Sequence, residues 1–348
     1  MFPNLLPGTY LLFDNDAIAD TYRLRRILHS PQREPLEPIL LPRQQWEGDG
    51  PAPLHVLFDE EREVFRMWYG VQDPQKGAIQ KARTGYHLGS PQRQYVCYAE
   101  SRDGINWQRP DLKIYKDDEA GNNICFKGFS QAAGNILHRP DAPAAQRFLM
   151  PCNDWRDVGV GGIYIARSED GLHWEYSPQE PLIFGHSDTR NCLAYNAELG
   201  VFMLYLRAWH GAAVGWPQIE KHNPRRRIAY SESKDLKTWS EPQIILTPDE
   251  LDTIDLYGLQ VFRWHNYFLG QLWFYDDDEK ETIEVELVWS KDGFHWSRLP
   301  ERPKSLSPGD GEYLMLSAQQ PVAIGDEMLH YFAAQDSPHD TPTRTLRA

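Results

Sequence analysis

A short motif occurs four times along this chain and constrains its fold more than any other feature. The motif has the form S-x-D-x-x-x-W and begins at Ser101, Ser168, Ser233 and Ser290. Its tryptophans fall at positions 107, 174, 239 and 296, so the spacings are 67, 65 and 57 residues. Self-similarity at a nearly fixed period is typical of repeat architectures. At this period 348 residues hold about five units, which predicts a five-bladed β-propeller.

Each copy of the motif follows a predicted strand. Aromatic and β-branched residues precede it, as in YVCYAE from Tyr95 and VELVWS from Val285, and the Asp-Gly step supplies a tight reversal. A second aromatic strand is predicted before each hairpin, at 65–70, 147–152, 201–207, 267–275 and 328–333. Five such strands against four motifs leave the last blade incomplete. We therefore expect segment 10–29 to supply an N-terminal strand that closes the ring.

Composition agrees with a single all-β domain over residues 1–348. The chain holds 12 Trp and 17 Tyr, and its 25 Gly and 26 Pro suit many short strands joined by turns. No long stretch has the 3.6-residue period of a helix. Since a propeller accommodates this length in one unit, we expect one domain.

The charge and the absence of leader patterns limit the partners and the compartment. A net charge of −14 argues against nucleic acid and anionic membranes, because a phosphate-binding surface needs a basic patch. No signal peptide is visible in the first 30 residues, and no apolar run reaches the roughly 18 to 20 residues of a membrane span. The cysteines lack metal-binding spacing, which predicts buried thiols in a reducing cytoplasm; they are Cys97, Cys125, Cys152 and Cys192. No cofactor or metal is predicted, and a homo-oligomer stays open.

The chain has one basic run, at 225–227. One interpretation is that it holds a phosphate or a carboxylate. The simpler interpretation is a solvated strand start that pairs with nearby acids.

Acidic residues recur at one phase of the repeat. The first strand of each blade lines the channel of a propeller, and we expect ligands to bind where those strands begin. Counting 14 to 16 residues past each motif tryptophan gives Asn122, Asp188, Asp255 and Glu312. The first blade has no preceding motif, but its corresponding segment carries Glu47 and Asp49, and Asn123 follows Asn122. Four of five blades thus offer a carboxylate at the expected channel mouth.

Such a cluster of carboxylates is what glycoside chemistry requires. One carboxylic acid protonates the leaving oxygen while another carboxylate attacks the anomeric carbon or activates water. Aromatic side chains can stack on sugar faces, and arginines can orient carboxylates or bond hydroxyls. The predicted substrate-binding residues, besides Asn122 and Asn123, are Trp46, Arg66, Trp155, Arg207, Trp209 and Tyr257. Any one acid is explained better by a capped turn or an ion pair, but turns alone do not require acids in register across four blades.

The sequence resembles the five-bladed propeller glycosidases, the superfamily of glycoside hydrolase families 32, 43, 68, 117 and 130. The resemblance rests on the S-x-D-G-x-x-W hairpin, the blade length and the acidic channel. A closer similarity is to bacterial propeller proteins often labelled family-32-like, and it lies in the segments FRMWYG, YVCYAESRDGINWQRP and GNNI and in the strand of Arg207. The resemblance covers nearly the whole chain and marks the fold more strongly than the substrate.

The resemblance carries over to catalytic roles only in part. The family-32 nucleophile segment, W-x-N-D-P, is imitated by Trp46, Gly48, Asp49 and Pro51, which makes Asp49 a candidate nucleophile or base. Asp188 stands in the third blade, where the family's acid is expected. Asn153-Asp154 is weakly similar to a further family segment. Asp14 and Asp16 are weaker catalytic candidates than the acidic residues that recur at one phase of the repeat.

These observations predict a glycoside hydrolase that acts on small oligosaccharides or glycosides. Its acid, base or nucleophile would come from Glu47, Asp49, Asp188, Asp255 and Glu312. Two alternatives stay open. One is a glycoside phosphorylase, with phosphate bound by 225–227, Arg207 or His186; the other is a non-catalytic sugar-binding propeller. Carboxylate separations of about 5 to 5.5 Å or about 6.5 to 9.5 Å would favour hydrolysis over binding alone.

Overall fold

The structure is a computed structural model that describes most of the chain. The described residues are 10–11, 18, 20–33, 37–48, 50–72, 94–116, 121–127, 132–155, 161–175, 181–185, 187, 189–209, 225–252, 255–276, 281–317, 320–338 and 346–347. Within them, two short 3-10 helices occur, Gln45–Glu47 and Ala144–Gln146, and the other regular elements are strands.

Four antiparallel sheets of four or more strands form the blades of a propeller. The first blade consists of β1 (Ala52–Asp59), β2 (Val64–Gln72), β3 (Gln94–Ser101) and β4 (Ile124–Lys127). The second consists of β5 (Ala132–Ala133), β6 (Leu137–His138), β7 (Phe148–Trp155), β8 (Gly161–Ser168), β9 (Trp174–Glu175) and β10 (Ile183–Phe184). The third consists of β11 (Cys192–Asn196), β12 (Val201–Trp209), β13 (Arg226–Ser233) and β14 (Gln243–Leu246). The fourth consists of β15 (Asp255–Trp264), β16 (Tyr267–Asp276), β17 (Thr282–Ser290), β18 (Trp296–Arg298) and β19 (Lys304–Leu306).

The repeated motif forms the turn after β3, β8, β13 and β17, one in each blade, as the sequence predicted. In the second blade, the Ser168 hydroxyl donates to Asp170 Oδ1 (3.1 Å) and accepts from the amide of Gly171 (2.9 Å). Asp170 Oδ1 also accepts from the amides of Leu172 and His173, each at 2.8 Å. The other three turns repeat this pattern at Asp103, Asp235 and Asp292. The aspartate therefore caps the turn by accepting amide hydrogens two and three residues later.

Two of the motif turns are also held by an aromatic residue of a neighbouring sheet. Trp68 Nε1, on β2, donates to the carbonyl of Gly171 (2.6 Å), and the Tyr205 hydroxyl, on β12, donates to that of Gly293 (2.7 Å). These aromatic side chains are buried between adjacent blades. The motif thus serves both to reverse the chain and to join one blade to the next.

The prediction of five blades is wrong, since the described residues form four. The remaining strands form two smaller units. One is a three-stranded sheet of β20 (Leu314–Ser317), β23 (Phe332–Gln335) and β24 (Leu346–Arg347); the other is a hairpin of β21 (Val322–Ile324) and β22 (Glu327–Leu329). The predicted second strand at 328–333 is divided: its first half pairs with β21 and its second half with β20. A divided strand does not make a full blade.

Closure by an N-terminal strand is not observed. The described residues of segment 10–29 contain no strand. Instead, the small C-terminal sheet lies against the first blade, where Tyr331 donates a hydrogen bond to the carbonyl of Gly104 (3.0 Å). The Tyr331 ring lies edge-on to that of Trp107, with centroids 5.7 Å apart.

The core consists of apolar side chains buried between neighbouring sheets. All four cysteines are buried, and no disulfide links them, as predicted. No helix among the described residues could span a membrane.

Candidate functional site at the start of the inner strands

Strand pairing separates the two faces of the propeller. Asp255, the first residue of β15, lies opposite Tyr275, whereas Trp264 at the end of β15 lies opposite Tyr267 and next to the motif turn. In the third blade, Trp209 pairs with Arg226 beyond the start of β11. Residues near Asp255 and Trp209 therefore share the face on which the inner strands begin. The motif turns occupy the opposite face.

On the strand-start face, arginine and aromatic side chains gather around Tyr257. We call this group the Tyr257 cluster; its members are Thr189, Arg190, Arg207, Trp209, Arg226, Asp255, Tyr257 and Tyr275. The Arg207 guanidinium lies 4.4 Å from the centre of the Tyr257 ring, and that of Arg226 lies 5.4 Å from it. Both guanidiniums also lie within 6 Å of the Trp209 ring, at 5.7 and 5.8 Å. At these distances cations are attracted to aromatic faces.

The cluster contains one described carboxylate, Asp255, whose side chain is fully buried. Arg226 holds it twice: its backbone amide donates to Oδ1 (2.7 Å) and its guanidinium pairs with Oδ2 (2.5 Å). A buried carboxylate requires such partners, because an unpaired charge is costly away from water. Asp255 is thereby fixed at the start of β15, between the third and fourth blades.

The carbonyl of Tyr257 joins the third blade to the fourth. It accepts hydrogen bonds from Arg207 Nη2 (2.8 Å) and from the Thr189 hydroxyl (3.3 Å). Arg207 comes from β12 and Thr189 from the segment before β11. The two donors fix Arg207 across the aromatic face of Tyr257.

The segment that carries Thr189 and Arg190 is held by buried polar side chains. Ser187 donates to Asn191 Oδ1 (2.6 Å) and accepts from the Arg207 amide (2.9 Å). The Asn153 side chain, from the second blade, donates to the carbonyl of Ser187 (2.7 Å). These buried hydrogen bonds give the segment one conformation, which preorganises the cluster.

Arg190 lies between blades that are far apart in sequence. Its Nη1 donates to the carbonyl of Pro53, at the start of the first blade's inner strand (2.7 Å), while its own carbonyl accepts from Gln260 on β15 (2.9 Å). Arg190 therefore connects the inner strands of the first and fourth blades through the third. Desolvation lowers the pKa of Arg190 to about 10, although the Tyr257 phenol opposes this shift.

Several predicted site residues lie together in a separate network of the first blade. Glu47 is fully buried and accepts from the Tyr69 hydroxyl and from Arg109 Nε, both at 2.7 Å. Its second oxygen accepts the amides of two preceding residues. Trp46 Nε1 donates to Asn123 Oδ1 (3.1 Å), and the Asn123 amide group donates to the Tyr69 hydroxyl (2.6 Å). The structure brings Trp46, Glu47 and Asn123 together, through hydrogen bonds that include no residue of the Tyr257 cluster.

The phase count fails for Asn122 and Asn123. These residues precede β4, the outer strand of the first blade, and not the inner strand of the second. The outer strand follows the motif tryptophan at once in the second and fourth blades, but only after 16 intervening residues in the first. Asn122 donates to the carbonyl of Tyr115 within that longer segment (2.9 Å).

Two further candidates lie away from the Tyr257 cluster. Arg66 pairs with Leu57 near the end of β1 and donates to the carbonyl of Asp170 (2.6 Å), which places it on the motif-turn face. Glu312 precedes β20, as the count predicted, and its carboxylate pairs with Arg33 (2.8 Å). Of the predicted residues with described side chains, Asp255, Arg207, Trp209 and Tyr257 form one cluster.

The remaining predicted residues lie outside the described part of the chain. Asp49, Asp188, His186, Asp14 and Asp16 are among them, as is the side chain of Trp155, whose backbone ends β7. Among the described residues, no three His, Cys, Asp or Glu side chains lie close enough to share a metal ion.

Sequence reasoning missed Thr189 and Arg190 and undervalued Arg226. The basic run at 225–227 was interpreted most simply as a strand start that pairs with acids, and Arg226 does pair with Asp255. The position of Arg226 in the sequence does indicate it as a site residue, because it begins the strand after the one that carries Arg207 and Trp209. Arg190 had no such signal, since its partner Pro53 is 137 residues away.

Neither a family model nor a curated protein matches the sequence. Solved structures do match it over most of its length. An N-acetylgalactosamine deacetylase from F. plautii, in complex with blood group B trisaccharide, is 15% identical, and the match covers 89% of this chain and 92% of that one, with a TM-score of 0.53. A glycosyl hydrolase from Bacteroides ovatus is 11% identical, with coverage of 92% and 93% and a TM-score of 0.57.

A third similar structure concerns glycoside hydrolase family 130. It is described by the finding that this family of mannoside phosphorylases contains glycoside hydrolases that target β-1,2-mannosidic linkages in Candida mannan. It is 12% identical, with coverage of 93% of this chain and 95% of that one and a TM-score of 0.55. At such identities the similarity establishes the fold alone. The chain is an all-β propeller of the kind found in these carbohydrate-acting proteins.

Proposed function

We propose that the protein is a glycoside hydrolase acting on small oligosaccharides or glycosides, with the Tyr257 cluster as its sugar-binding site. The observation that carries this proposal is the convergence of Arg207, Trp209, Arg226, Asp255 and Tyr257 on the strand-start face. Sugar sites combine aromatic faces with a few fixed charged and polar groups, which is the composition of this cluster. The fold shared with glycoside hydrolases supports the same class.

Hydrolysis requires an acid and a base or nucleophile in addition to this binding surface. We propose Asp188 as the acid, because it stands in sequence between Ser187 and Thr189, two residues that contact the cluster. Asp49 is proposed as the nucleophile or base. In this proposal Asp255 acts through Arg226, which it holds against the ring of Tyr257.

The test is turnover of a panel of aryl glycosides and short oligosaccharides, covering fructosides, arabinosides, xylosides, galactosides and mannosides. We expect Asp188→Asn to lower turnover by about 10² to 10⁴-fold, since general acid catalysis contributes that much. Asp141→Asn is the matched control, because Asp141 is exposed in the turn at 139–142 and touches no proposed site residue. Equal activity of wild type and both variants would refute the role of Asp188.

A phosphorylase is the second candidate function. The observation that favours it is the presence of Arg226, from the basic run, inside the cluster next to Arg207. Guanidinium groups are preferred partners of phosphate. Turnover of the same panel with and without inorganic phosphate distinguishes the two reactions: release of a sugar phosphate indicates a phosphorylase, and a rate independent of phosphate excludes it.

The same panel of sugars also tests the remaining alternative, a non-catalytic sugar-binding propeller. Sugar binding measured by calorimetry, without turnover of any substrate, would indicate a binding module. In that case Tyr257→Ala should abolish binding, whereas Asp188→Asn should preserve it.

A further inference from the structure

Arg190 differs from the other arginines of the Tyr257 cluster in its partners. Arg226 is matched by the carboxylate of Asp255. Arg190 has one described side-chain hydrogen bond, to the backbone carbonyl of Pro53, and no described carboxylate lies within ion-pair distance of it. The guanidinium is thus fixed in position by a neutral acceptor. Its charge has no counterpart among the described residues.

A guanidinium in these surroundings is a strong site for an anion. Arg190 is half-buried, and loss of water around it lowers its pKa. A cation that has lost water and has no counter-ion is costly, and an incoming anion offsets that cost. The Pro53 carbonyl accepts from one nitrogen, Nη1, and a guanidinium has five N–H donors. The remaining donors match the two oxygens of a carboxylate in a planar fork.

We infer that the sugar bound at the Tyr257 cluster carries a carboxylate, as in a glycoside of a uronic acid, and that this carboxylate pairs with Arg190. The inference rests on the proposed function for the location of the sugar. It goes further by naming the substrate class. The aromatic faces of Tyr257 and Trp209 would contact the sugar ring, while Arg190 would select the acid.

The position of Arg190 supports a role in selecting acidic sugars over neutral ones. The residue is held by Pro53 on one side and Gln260 on the other, so its guanidinium is set by two blades besides its own. A rigid donor distinguishes ligands better than a mobile one, because little ordering is needed on binding. The net charge of −14 repels anions at long range, so affinity for an acid must come from such a local contact.

The test is binding, measured by calorimetry on the full chain. The ligands are the methyl glycosides of glucuronic, galacturonic and mannuronic acids, each compared with its uronate methyl ester and with the neutral parent sugar. At least one acid should bind tenfold or more tightly than its own ester, since a carboxylate can pair with the Arg190 guanidinium and a neutral ester cannot. Equal affinity of acid and ester in every set, or no binding of any acid at millimolar concentration, would overturn the inference.

Variants connect the preference to the residue. Arg190→Gln should bring the acid and its ester to equal affinity, and Arg190→Lys should keep part of the preference. Arg263→Gln is the matched control, because Arg263 lies at the far end of β15 from the Tyr257 cluster and pairs with Glu198 on the surface. If Arg190→Gln fails to fold, the comparison of acid with ester in the wild type still decides.

Binding of inorganic phosphate distinguishes the two anions that Arg190 could bind, a carboxylate carried by the sugar and free phosphate. If phosphate binds through Arg190 and no uronic acid glycoside binds more tightly than its ester, the inference that the sugar carries the carboxylate is overturned. Failure of the inference is also distinct from failure of the proposed function. Hydrolysis of neutral glycosides without acid preference refutes only the inference, and acid binding without turnover refutes only the enzyme.

Discussion

Leu236 occupies the position that glycine holds in the other three motif turns. Gly104, Gly171 and Gly293 have φ values of 77°, 79° and 81°, and Leu236 has a φ of 60°. The left-handed conformation costs a side-chain-bearing residue about 1–2 kcal/mol. Leu236 is 1% exposed within the cluster between the second and third blades, and burial of a leucine contributes about 1.5–3 kcal/mol. Burial therefore offsets the strain, which explains how a leucine persists there.

The glycine turns lack this compensation, which gives a test. An added Cβ at Gly171 would lie 2.7 Å from Trp68, whereas at Gly121, with a φ of 80°, it would meet nothing within 4 Å. Gly121→Ala should lower the free energy of unfolding by about 1–2 kcal/mol from backbone strain alone. Gly171→Ala should lower it by at least about 1 kcal/mol more, because Trp68 must shift in a packed interface. Urea unfolding measures both, and equal losses would contradict the steric contribution.

At the scale of elements, one arginine connects three parts of the fourth blade. Arg298 pairs with both oxygens of Asp252, at 2.5 and 2.7 Å, and both of Glu286, at 2.7 and 2.8 Å. Asp252 lies in the segment that leads into β15, and Glu286 lies on β17. Burial alone would raise the pKa of Asp252, but hydrogen bonds from Arg298 lower it. Arg298 thus ties the approach to Asp255 to the outer strands of its blade.

Loss of this arginine should be far more costly than loss of a surface arginine. Arg298→Met removes the ion-pair partner of buried Asp252 and leaves Glu286 with Lys304 alone, 3.4 Å away, so we expect a decrease of about 3–5 kcal/mol in the free energy of unfolding. Arg263→Met, which removes an exposed pair with Glu198, should cost about 0–1 kcal/mol. Denaturant unfolding of the two variants at pH 7 measures the difference. A loss below 1 kcal/mol for Arg298→Met would show that the network contributes little.

At the scale of the whole molecule, two consecutive residues join the fourth blade to the first. His330 Nε2 lies 2.9 Å from Gln271 Oε1 on β16, and Tyr331 donates to Gly104 in the first blade. Both residues stand in the link between β22 and β23. In the described part of the chain, the ring of four blades is therefore closed through the small C-terminal sheet, at the point where the predicted fifth blade is interrupted.

The repeat predicted the four blades because periodic strands and turns are local properties of the chain. It failed at the fifth because the link at His330 and Tyr331 makes contacts 59 and 227 residues away, which no local pattern reveals. The candidate site followed the same rule. Asp255 and Arg207 lie at regular positions of their blades, so the repeat indicates them as candidates, whereas Arg190 contacts Pro53 across blades and no local pattern indicates it. The longer segment before β4 shifts the count of residues past the motif tryptophan in the first blade, so the counted position, Asn122, precedes an outer strand.

Closure at His330 makes the ring sensitive to pH in a defined window. Burial lowers the pKa of His330 to about 4, from an ordinary value near 6.5. As the pH falls from 6.5 to 4, the unfolded chain gains a proton that the folded chain does not bind. The free energy of unfolding should therefore fall by about 1.4 kcal/mol per pH unit in this window through His330 alone. Above pH 6.5 neither state binds the proton, and the contribution is constant.

Replacement of the histidine by a residue that does not titrate isolates this effect. His330→Gln removes the proton-binding group and keeps a side chain able to bond Gln271, so its stability should vary less between pH 6.5 and 4 than that of the wild type. The hydrogen-bonded motif aspartates do not obscure the window. The pKa values of Asp170 and Asp292 are lowered to about 2, so their stabilisation is lost only as the pH falls below about 4. His29→Gln, at an exposed position, serves as the control. Parallel stability curves for wild type and His330→Gln would exclude a role of this histidine in acid-induced opening of the ring.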